Sequence, residues 1–149
     1  MLEGKIQSIF DQLVLDFEVT NDHSMVLNSE GEGVYDTNQY DSQIVRYERD
    51  SGRLYLPGFD RCIAVDLEGL DPNEVKGLRC SGSNPSHKWT LNEQGQIINQ
   101  ATATCLTGQE FLPFKMYLAP CDPDNYHQKF YPFSVDPVSG TVARKWGKS

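Results

Sequence analysis

The sequence lacks the features of several large functional classes. No apolar run approaches the ~18 residues of a membrane-spanning helix, so we expect no membrane insertion. The 149 residues carry a net charge of −8, and the only cluster of basic residues is Arg144, Lys145 and Lys148 at the tail. An acidic chain without a basic stripe is not expected to bind nucleic acid.

The motifs of common catalytic and nucleotide-binding sites are also missing, among them G-x-S-x-G, H-E-x-x-H and the P-loop. His87 and His127 lie in or beside a hairpin signature, and we interpret both as partly exposed hairpin residues. Asp122, Asp124 and Asn125 in "CDPDNYHQ" could suggest calcium, but "DPDN" is also common turn chemistry. We therefore predict a protein that is not an enzyme and has neither cofactor nor metal.

Helical periodicity is missing from every long segment. The chain instead contains short runs such as "GRLYL", "RCIAVD", "FKMYLA" and "KFYPFSV", rich in β-branched and aromatic residues and bounded by Gly, Pro, Asn or Asp. These runs predict an all-β protein, and its length suits a single domain over residues 1–149.

Two short signatures recur along the chain. A glycine followed by x and then Ile, Leu or Val appears four times, at steps of 48, 43 and 45 residues, beginning at Gly4, Gly52, Gly95 and Gly140. A triplet of polar-x-apolar type precedes each later glycine, at Gln43–Val45, His87–Trp89 and Gln128–Phe130. Self-similarity at a fixed period predicts a repeat architecture.

The cysteines keep the same phase. Cys62 and Cys105 each follow the glycine of their unit by ten residues. Cys80 and Cys121 each precede the triplet by seven residues. In the first unit we assign Leu13 and Asp36 to the two cysteine positions. The units are then predicted near residues 4–51, 52–94 and 95–139, with an additional closing strand at 140–146.

Three units of four strands give the twelve strands of a β-trefoil with pseudo-threefold symmetry. One unit cannot bury its own apolar face, but three units around a shared axis can. The residues expected to meet in this core are Val45, Trp89, Phe130, Ile6, Leu54 and Ile97. A generic β-barrel with regular turns is the alternative.

The phased pattern G-x-I, C-L, C, Q-x-W resembles that of the ricin B-chain type trefoils (R-type lectins, QxW repeat). The resemblance covers nearly the whole chain and is clearest in the second and third units. It implies carbohydrate binding, with a glycan or glycoprotein as the partner.

Four cysteines allow three pairings. The repeat selects the pairs Cys62–Cys80 and Cys105–Cys121, and the resemblance implies the same pairs. Disulfides point to an oxidising compartment, so we expect an extracellular protein or one of the secretory-pathway lumen. Four reduced thiols in a cytosolic trefoil are the alternative.

The resemblance also implies where a sugar would bind. Family sites use an Asp two residues after the first cysteine, an aromatic residue two before the second, and an Asn before the Gln of the triplet. With the assignments above, the Asp positions hold Leu15, Ala64 and Thr107. The aromatic positions hold Val34, Leu78 and Ala119, and the Asn positions hold Ser42, Ser86 and His127. We therefore expect no strong galactose or lactose binding at the standard position.

Other polar and aromatic residues could replace the standard set. We favour a pocket in the third unit formed by Tyr117, Asp122, Asn125, Tyr126, His127 and Gln128. A second candidate pocket in the first unit contains Asp16, Tyr35 and Asn38. The second unit offers Asp66, Asn84 and His87 but no aromatic residue at the rim.

Two functional hypotheses follow. The first is a non-enzymatic, lectin-like carbohydrate-binding module with a non-standard sugar site. The alternative is a trefoil that has lost sugar binding and acts as a protein–protein interaction module, by subunit docking, adhesin-type contact or protease inhibition. In either case the domain could belong to a larger chain with other domains.

Overall fold

Short antiparallel strands make up almost all of the regular structure. The computed structural model describes residues 2–18, 23–29, 42–108 and 115–131. The strands in these residues are β1 (Leu2–Gly4), β2 (Gln7–Ser8), β3 (Val14–Phe17), β4 (Met25–Asn28), β5 (Val45–Glu48), β6 (Arg53–Leu56), β7 (Arg61–Val65), β8 (Val75–Leu78), β9 (Trp89–Leu91), β10 (Ile97–Asn99), β11 (Cys105–Thr107), β12 (Tyr117–Ala119) and β13 (Phe130–Tyr131). Two 3₁₀ turns, η1 (Pro85–His87) and η2 (Tyr126–Gln128), accompany them. None of the described residues belongs to a helix long and apolar enough to cross a membrane.

The strands form three sheets, and each sheet joins the end of one unit to the start of the next. Their orders are β13-β2-β3-β4, β1-β5-β6-β7-β8 and β12-β11-β10-β9. Phe130 of β13 pairs with Ser8 of β2, so the third unit closes onto the first. This cyclic arrangement is the predicted β-trefoil. The limits of the units and the extent of the domain over 1–149 stay predictions, and the closing strand at 140–146 lies outside the described residues.

The hairpins β2–β3, β6–β7 and β10–β11 resemble one another in detail. Gln12, Asp60 and Ala103 have positive φ angles of 63°, 52° and 56°. Each donates its backbone N–H to the carbonyl oxygen four residues earlier, over 2.8 to 3.0 Å. All three residues follow the glycine of their unit by eight positions, so the first unit has the same spacing here as the other two.

The strand register corrects one assignment in the first unit. Three residues occupy the same place opposite β2, β6 and β10: Val14 faces Gln7, Cys62 faces Tyr55 and Cys105 faces Ile98. Val14, ten residues after Gly4, therefore takes the position of the first cysteine. The assignment of Leu13 to this position was wrong, because the hairpin in the first unit is not shortened.

One apolar cluster receives side chains from all three sheets. Val45, Trp89 and Phe130 are fully buried in it, as are Ile6, Leu54 and Ile97, which confirms the predicted core. The indole N–H of Trp89 donates to the carbonyl oxygen of Ile63 over 2.7 Å. This bond satisfies the one polar atom of the largest core side chain. The indole is therefore buried without an unpaired hydrogen-bond donor.

Truncating Trp89 should therefore destabilise the fold strongly. We expect Trp89→Ala to lower the free energy of unfolding by about 3–5 kcal/mol, because it leaves a cavity and an unpaired carbonyl. Urea titration followed by circular dichroism measures the change, with Tyr126→Ala as the control, since that ring is exposed. A loss below about 1 kcal/mol would contradict the central position of Trp89.

Two disulfides connect strands of the second and third units to the segments that precede η1 and η2. Cys62 is bonded to Cys80 and Cys105 to Cys121, the pairs that the repeat selects. The Cα atoms of each pair lie 5.0 Å apart, within the usual range for a bridge. The described residues contain no free cysteine.

The first and second units meet closely at Gly77 of β8. A Cβ atom placed there would lie 2.5 Å from Cε1 and 2.8 Å from Cδ1 of the Phe17 ring. Phe17 is itself buried in the shared core, so the ring has little room to withdraw. The packing between these two units thus requires glycine at this position.

We expect Gly77→Ala to lower the free energy of unfolding by about 1–3 kcal/mol through overpacking. The matched control is Gly82→Ala, because a Cβ there would meet no atom within 4 Å. Thermal and urea unfolding of both variants measure the difference. Equal stability of the two variants would show that Phe17 does not pack against β8 as described.

Candidate functional site

Two positions that are important for the chemistry of the protein correspond across the three units. The first lies on β3, β7 and β11, two residues beyond the place of the first cysteine. The second is the polar residue that opens the triplet. The pairs that occupy these positions are Asp16 with Gln43, Ala64 with His87, and Thr107 with Gln128.

The first-unit pair is buried and fixed by hydrogen bonds. The Nε2 amide of Gln43 and the Nδ2 amide of Asn28 each lie 3.3 Å from Oδ2 of Asp16. Gln43 Nε2 also donates to the carbonyl oxygen of Ser29 over 3.0 Å. Asp16 is only 3% exposed. Two amides thus hold one carboxylate oxygen and leave the orientation of the carboxylate well defined.

The register places this carboxylate where the family resemblance requires an Asp. Because Val14 takes the position of the first cysteine, Asp16 stands two residues after it. The expectation that no unit carries this Asp was therefore wrong for the first unit, where Leu15 is instead a buried core residue. Asn28, which faces Val14, takes the rim position that had been assigned to Val34. Counting a constant ten residues from each glycine would have found Asp16, whereas Asn28 is placed only by the strand register.

In the third unit, Gln128 has a structural role. It is fully buried, and its Nε2 amide donates to Oγ1 of Thr107 over 3.2 Å and to the carbonyl oxygen of Pro120 over 2.8 Å. Its Oε1 accepts from the backbone N–H of Asp122 over 2.9 Å. These bonds tie the segment after Cys121 to β11, so the amide of Gln128 is occupied within the protein.

The rest of the predicted third-unit pocket divides into turn-forming and exposed groups. Asn125 Oδ1 accepts from the backbone N–H of His127 over 3.0 Å and caps η2. Asp122 Oδ1 accepts from the N–H of Asp124 over 2.9 Å. Tyr126 is 57% exposed. The capping bonds engage one oxygen of each side chain, so Tyr126 and the carboxylates of Asp122 and Asp124 are the groups that face solvent.

Two ring contacts border this exposed surface. Phe10 of the first unit lies 4.2 Å from the imidazole of His127, between ring centroids, and Lys129 Nζ lies 4.9 Å from the Tyr126 ring centroid. Sequence reasoning missed Phe10, because its approach to the third unit depends on the closure of β13 onto β2. Among the described residues, no hydrogen bond or ring contact joins Tyr117 to η2. Tyr117 lies on β12, opposite Thr107.

Tyr35 and Asn38, the other members of the first-unit candidate pocket, lie outside the described residues. Within the described ranges, no group of three or more His, Cys, Asp or Glu side chains could hold a metal ion.

The second unit contains a cavity of about 300 Å³. Its lining brings together the three residues singled out in this unit, Asp66, Asn84 and His87, with the apolar side chains of Leu67 and Leu78. Asn84 Oδ1 accepts from the backbone N–H and the hydroxyl of Ser86, over 3.0 and 2.9 Å, and thereby caps η1 as Asn125 caps η2. The loop that delivers His87 is thus preorganised.

His87 lacks the partner that its counterparts have. It is 4% exposed, so the interpretation of His87 as a partly exposed hairpin residue was wrong. Its Nδ1 is buried without a hydrogen bond among the described residues. The corresponding glutamines of the other units bond to Asp16 and Thr107, whereas this unit has Ala64, which offers no acceptor. Burial lowers the pKa of the His87 imidazole below its usual value, because the charged form would lose hydration without gaining a partner.

This lowered pKa predicts destabilisation by acid. Below about pH 6.5 the unfolded chain takes up a proton at His87 that the folded chain resists, so the free energy of unfolding falls as the pH drops. We expect His87→Gln to lose less stability than the wild type between pH 7 and pH 5.5. Urea titrations of both proteins at the two pH values measure the difference. An equal loss in both would show that His87 does not contribute.

With this geometry, the family of the protein follows from sequence comparison. The model of the ricin-type beta-trefoil lectin domain matches residues 3–130, and the chain belongs to this family. A comparison with curated protein sequences finds no match.

Solved structures agree on the fold at low sequence identity. A non-toxic homologue of type II RIPs from bitter gourd, in complex with α-methyl-D-galactoside, has 16% identity and a TM-score of 0.70, over 89% of this chain and 48% of that one. The β-trefoil lectin of Vibrio vulnificus hemolysin/cytolysin, with N-acetyl-D-lactosamine bound, has 16% identity and a TM-score of 0.62, over 100% and 98%. GalNAc-T7 has 17% identity and a TM-score of 0.66, over 87% of this chain. The present chain spans only 22% of the GalNAc-T7 chain and about half of the bitter gourd protein.

Proposed function

We propose that this carbohydrate-binding module binds its glycan in the first unit, with Asp16 as the principal acceptor for sugar hydroxyls. The observation that carries the proposal is the position of Asp16 two residues after Val14, with one carboxylate oxygen held by Gln43 and Asn28. A hydrogen bond from a sugar hydroxyl to a carboxylate is charge-assisted and stronger than one between neutral groups.

The remaining groups of this site follow from the sequence. Asn28 supplies an amide beside the carboxylate, since it lies 3.3 Å from Asp16. Tyr35 would supply the ring against which an apolar sugar face stacks, and Asn38 a second amide. These two roles rest on residue chemistry and on the place of Tyr35 and Asn38 between Asn28 and Gln43 in the chain.

The surface at η2 ranks second as a glycan site. Exposed rings at Tyr126 and Phe10 and the carboxylates of Asp122 and Asp124 favour it. It lacks the counterpart of Asp16, because Thr107 stands there and already accepts from Gln128. A ligand at η2 would have no buried, preoriented acceptor.

The ligand class is proposed from the same site. The bitter gourd and Vibrio proteins were solved with α-methyl-D-galactoside and N-acetyl-D-lactosamine. From the sequence we expected no strong galactose binding, because no Asp was assigned to the standard position. Asp16 occupies that position, so we propose a galactose-terminated glycan as the ligand. The two disulfides support an extracellular or secretory-lumen location. The module is proposed to bind without catalysis.

A glycan array followed by calorimetric titration tests the proposal. We expect Asp16→Asn to weaken binding of the best array glycan at least tenfold, because the charged acceptor is lost while one carbonyl oxygen remains. Asp16→Glu, which keeps the charge but moves the oxygens by one methylene, should also weaken binding. The matched controls, Asp122→Asn and Tyr126→Ala, change exposed third-unit groups and should retain affinity. Circular dichroism establishes that each variant is folded.

The outcomes separate the possible sites. If only the third-unit variants lose affinity for the glycan, the binding site lies at η2. Unchanged affinity in all variants would remove both sites. No array signal for the wild-type protein would contradict the glycan-binding proposal and favour a protein-interaction role.

A further inference from the structure

The second-unit cavity differs chemically from the first-unit site. Ala64 replaces the carboxylate of Asp16, and Leu78 stands at the rim position for which the family resemblance implies an aromatic ring. A sugar would find neither the buried acceptor nor a stacking face. The cavity of about 300 Å³ is nevertheless preformed, so it suits another kind of group.

The polar groups around the cavity favour a cation. The side chains of Asp66 and Glu68 line it from the β7–β8 hairpin, and Asn84 lines it from the opposite loop. Asp66 Oδ1 accepts from the backbone N–H of Glu68 over 3.1 Å, which fixes one oxygen and leaves Oδ2 for a ligand. Two carboxylates at one opening attract a positive group.

The buried side of the cavity combines apolar side chains with two polar residues, Ser86 and His87. Val65, which is buried, and Leu78, which is half-buried, line this side, and an alkyl chain would lie against them. His87 also lines it, 4% exposed and with Nδ1 unpaired among the described residues. Burial lowers the pKa of this imidazole and so favours its neutral form, which does not repel a cation.

The surface beside the cavity resembles the surface of a protein interface. Leu67 is 47% exposed and Leu70 is fully exposed on the same hairpin. They are two of the four exposed large hydrophobic residues in the described part of the chain. Exposed apolar side chains around a polar socket are typical of surfaces that bind proteins, where a central anchor is surrounded by contacts that exclude water.

We propose that the second-unit cavity is a docking socket for a lysine side chain on the surface of a protein partner. The ammonium group lies between Asp66 and Glu68, its stem contacts Leu78 and Val65, and Leu67 and Leu70 cover the partner surface around the lysine. We choose a positively charged partner group because Asp66 and Glu68 make the socket acidic and the whole chain has a net charge of −8.

Nuclear magnetic resonance titration tests the socket with a minimal ligand. The ligand is Nα-acetyl-lysine methylamide, compared with Nα-acetyl-norleucine methylamide, which has the same carbon stem without the ammonium group. We expect saturable shifts of the His87 ring and Leu78 methyl resonances with the lysine compound. The norleucine compound should bind at least fivefold more weakly, because it lacks the charge-assisted bonds.

Variants assign the effect to the two carboxylates. Asp66→Asn and Glu68→Gln should each weaken lysine binding about fivefold, the effect of losing one solvent-exposed ion pair of about 1 kcal/mol. Asp66→Asn keeps an oxygen for the Glu68 N–H. The matched control is Asp11→Asn, since Asp11 Oδ1 accepts from the N–H of Leu13 over 3.1 Å in the same kind of turn but outside the cavity. It should leave lysine binding unchanged.

Several results would overturn the proposal: no saturable shift with the lysine compound, equal binding of the norleucine compound, or equal loss in the Asp66 and Asp11 variants. Tighter binding of glucosamine would assign the socket to an amino sugar instead of a protein side chain. None of these results depends on Asp16, so the glycan proposal and this one can fail separately.

Discussion

The pairing of β13 with β2 is the constraint on which the rest of the structure depends. It joins Phe130 to Ser8 and closes three otherwise open sheets into a ring. Only in that ring can Val45, Trp89 and Phe130 lie in one core, because each comes from a different sheet. The same closure brings Phe10 against His127 and thereby builds a surface from two distant parts of the chain.

A single pair of positions explains why three similar units differ in chemistry. In the first unit an amide holds a buried carboxylate, and in the third an amide bonds to a hydroxyl. In the second, Ala64 removes the acceptor and leaves an imidazole beside a cavity. None of these residues belongs to the apolar cluster that the three sheets share.

The sequence predicted the fold and the core well because both depend on periodic features. The glycines, the triplets and the cysteines keep a constant phase, so Trp89, Ile97 and the two disulfides followed from spacing. The error at Leu13 arose in the unit without cysteines, because the first cysteine position was placed nine residues after the glycine instead of ten, and it displaced Asp16 from its standard position.

The candidate sites were less predictable because residue type does not determine what a polar side chain contacts. Asn125 and Gln128 looked like ligand-binding groups, but one caps a turn and the other is bonded on all sides within the protein. His87 is important because the residue at the corresponding position, Ala64, offers it no acceptor. The sequence does not reveal this until the strands are aligned in register. Contacts between units, such as Phe10 with His127, depend on tertiary closure.

The distribution of the disulfides has a consequence for where the protein can work. Bridges tie the strands to the loops that carry η1 and η2, while the first unit contains no cysteine, and Gln43 connects Asp16 to Ser29 there. A reducing environment would therefore loosen the supports of the second and third units but break no covalent bond within the first. Reduction would therefore affect Asp16 only through the stability of the shared core, whereas it would also remove covalent supports at the other two surfaces.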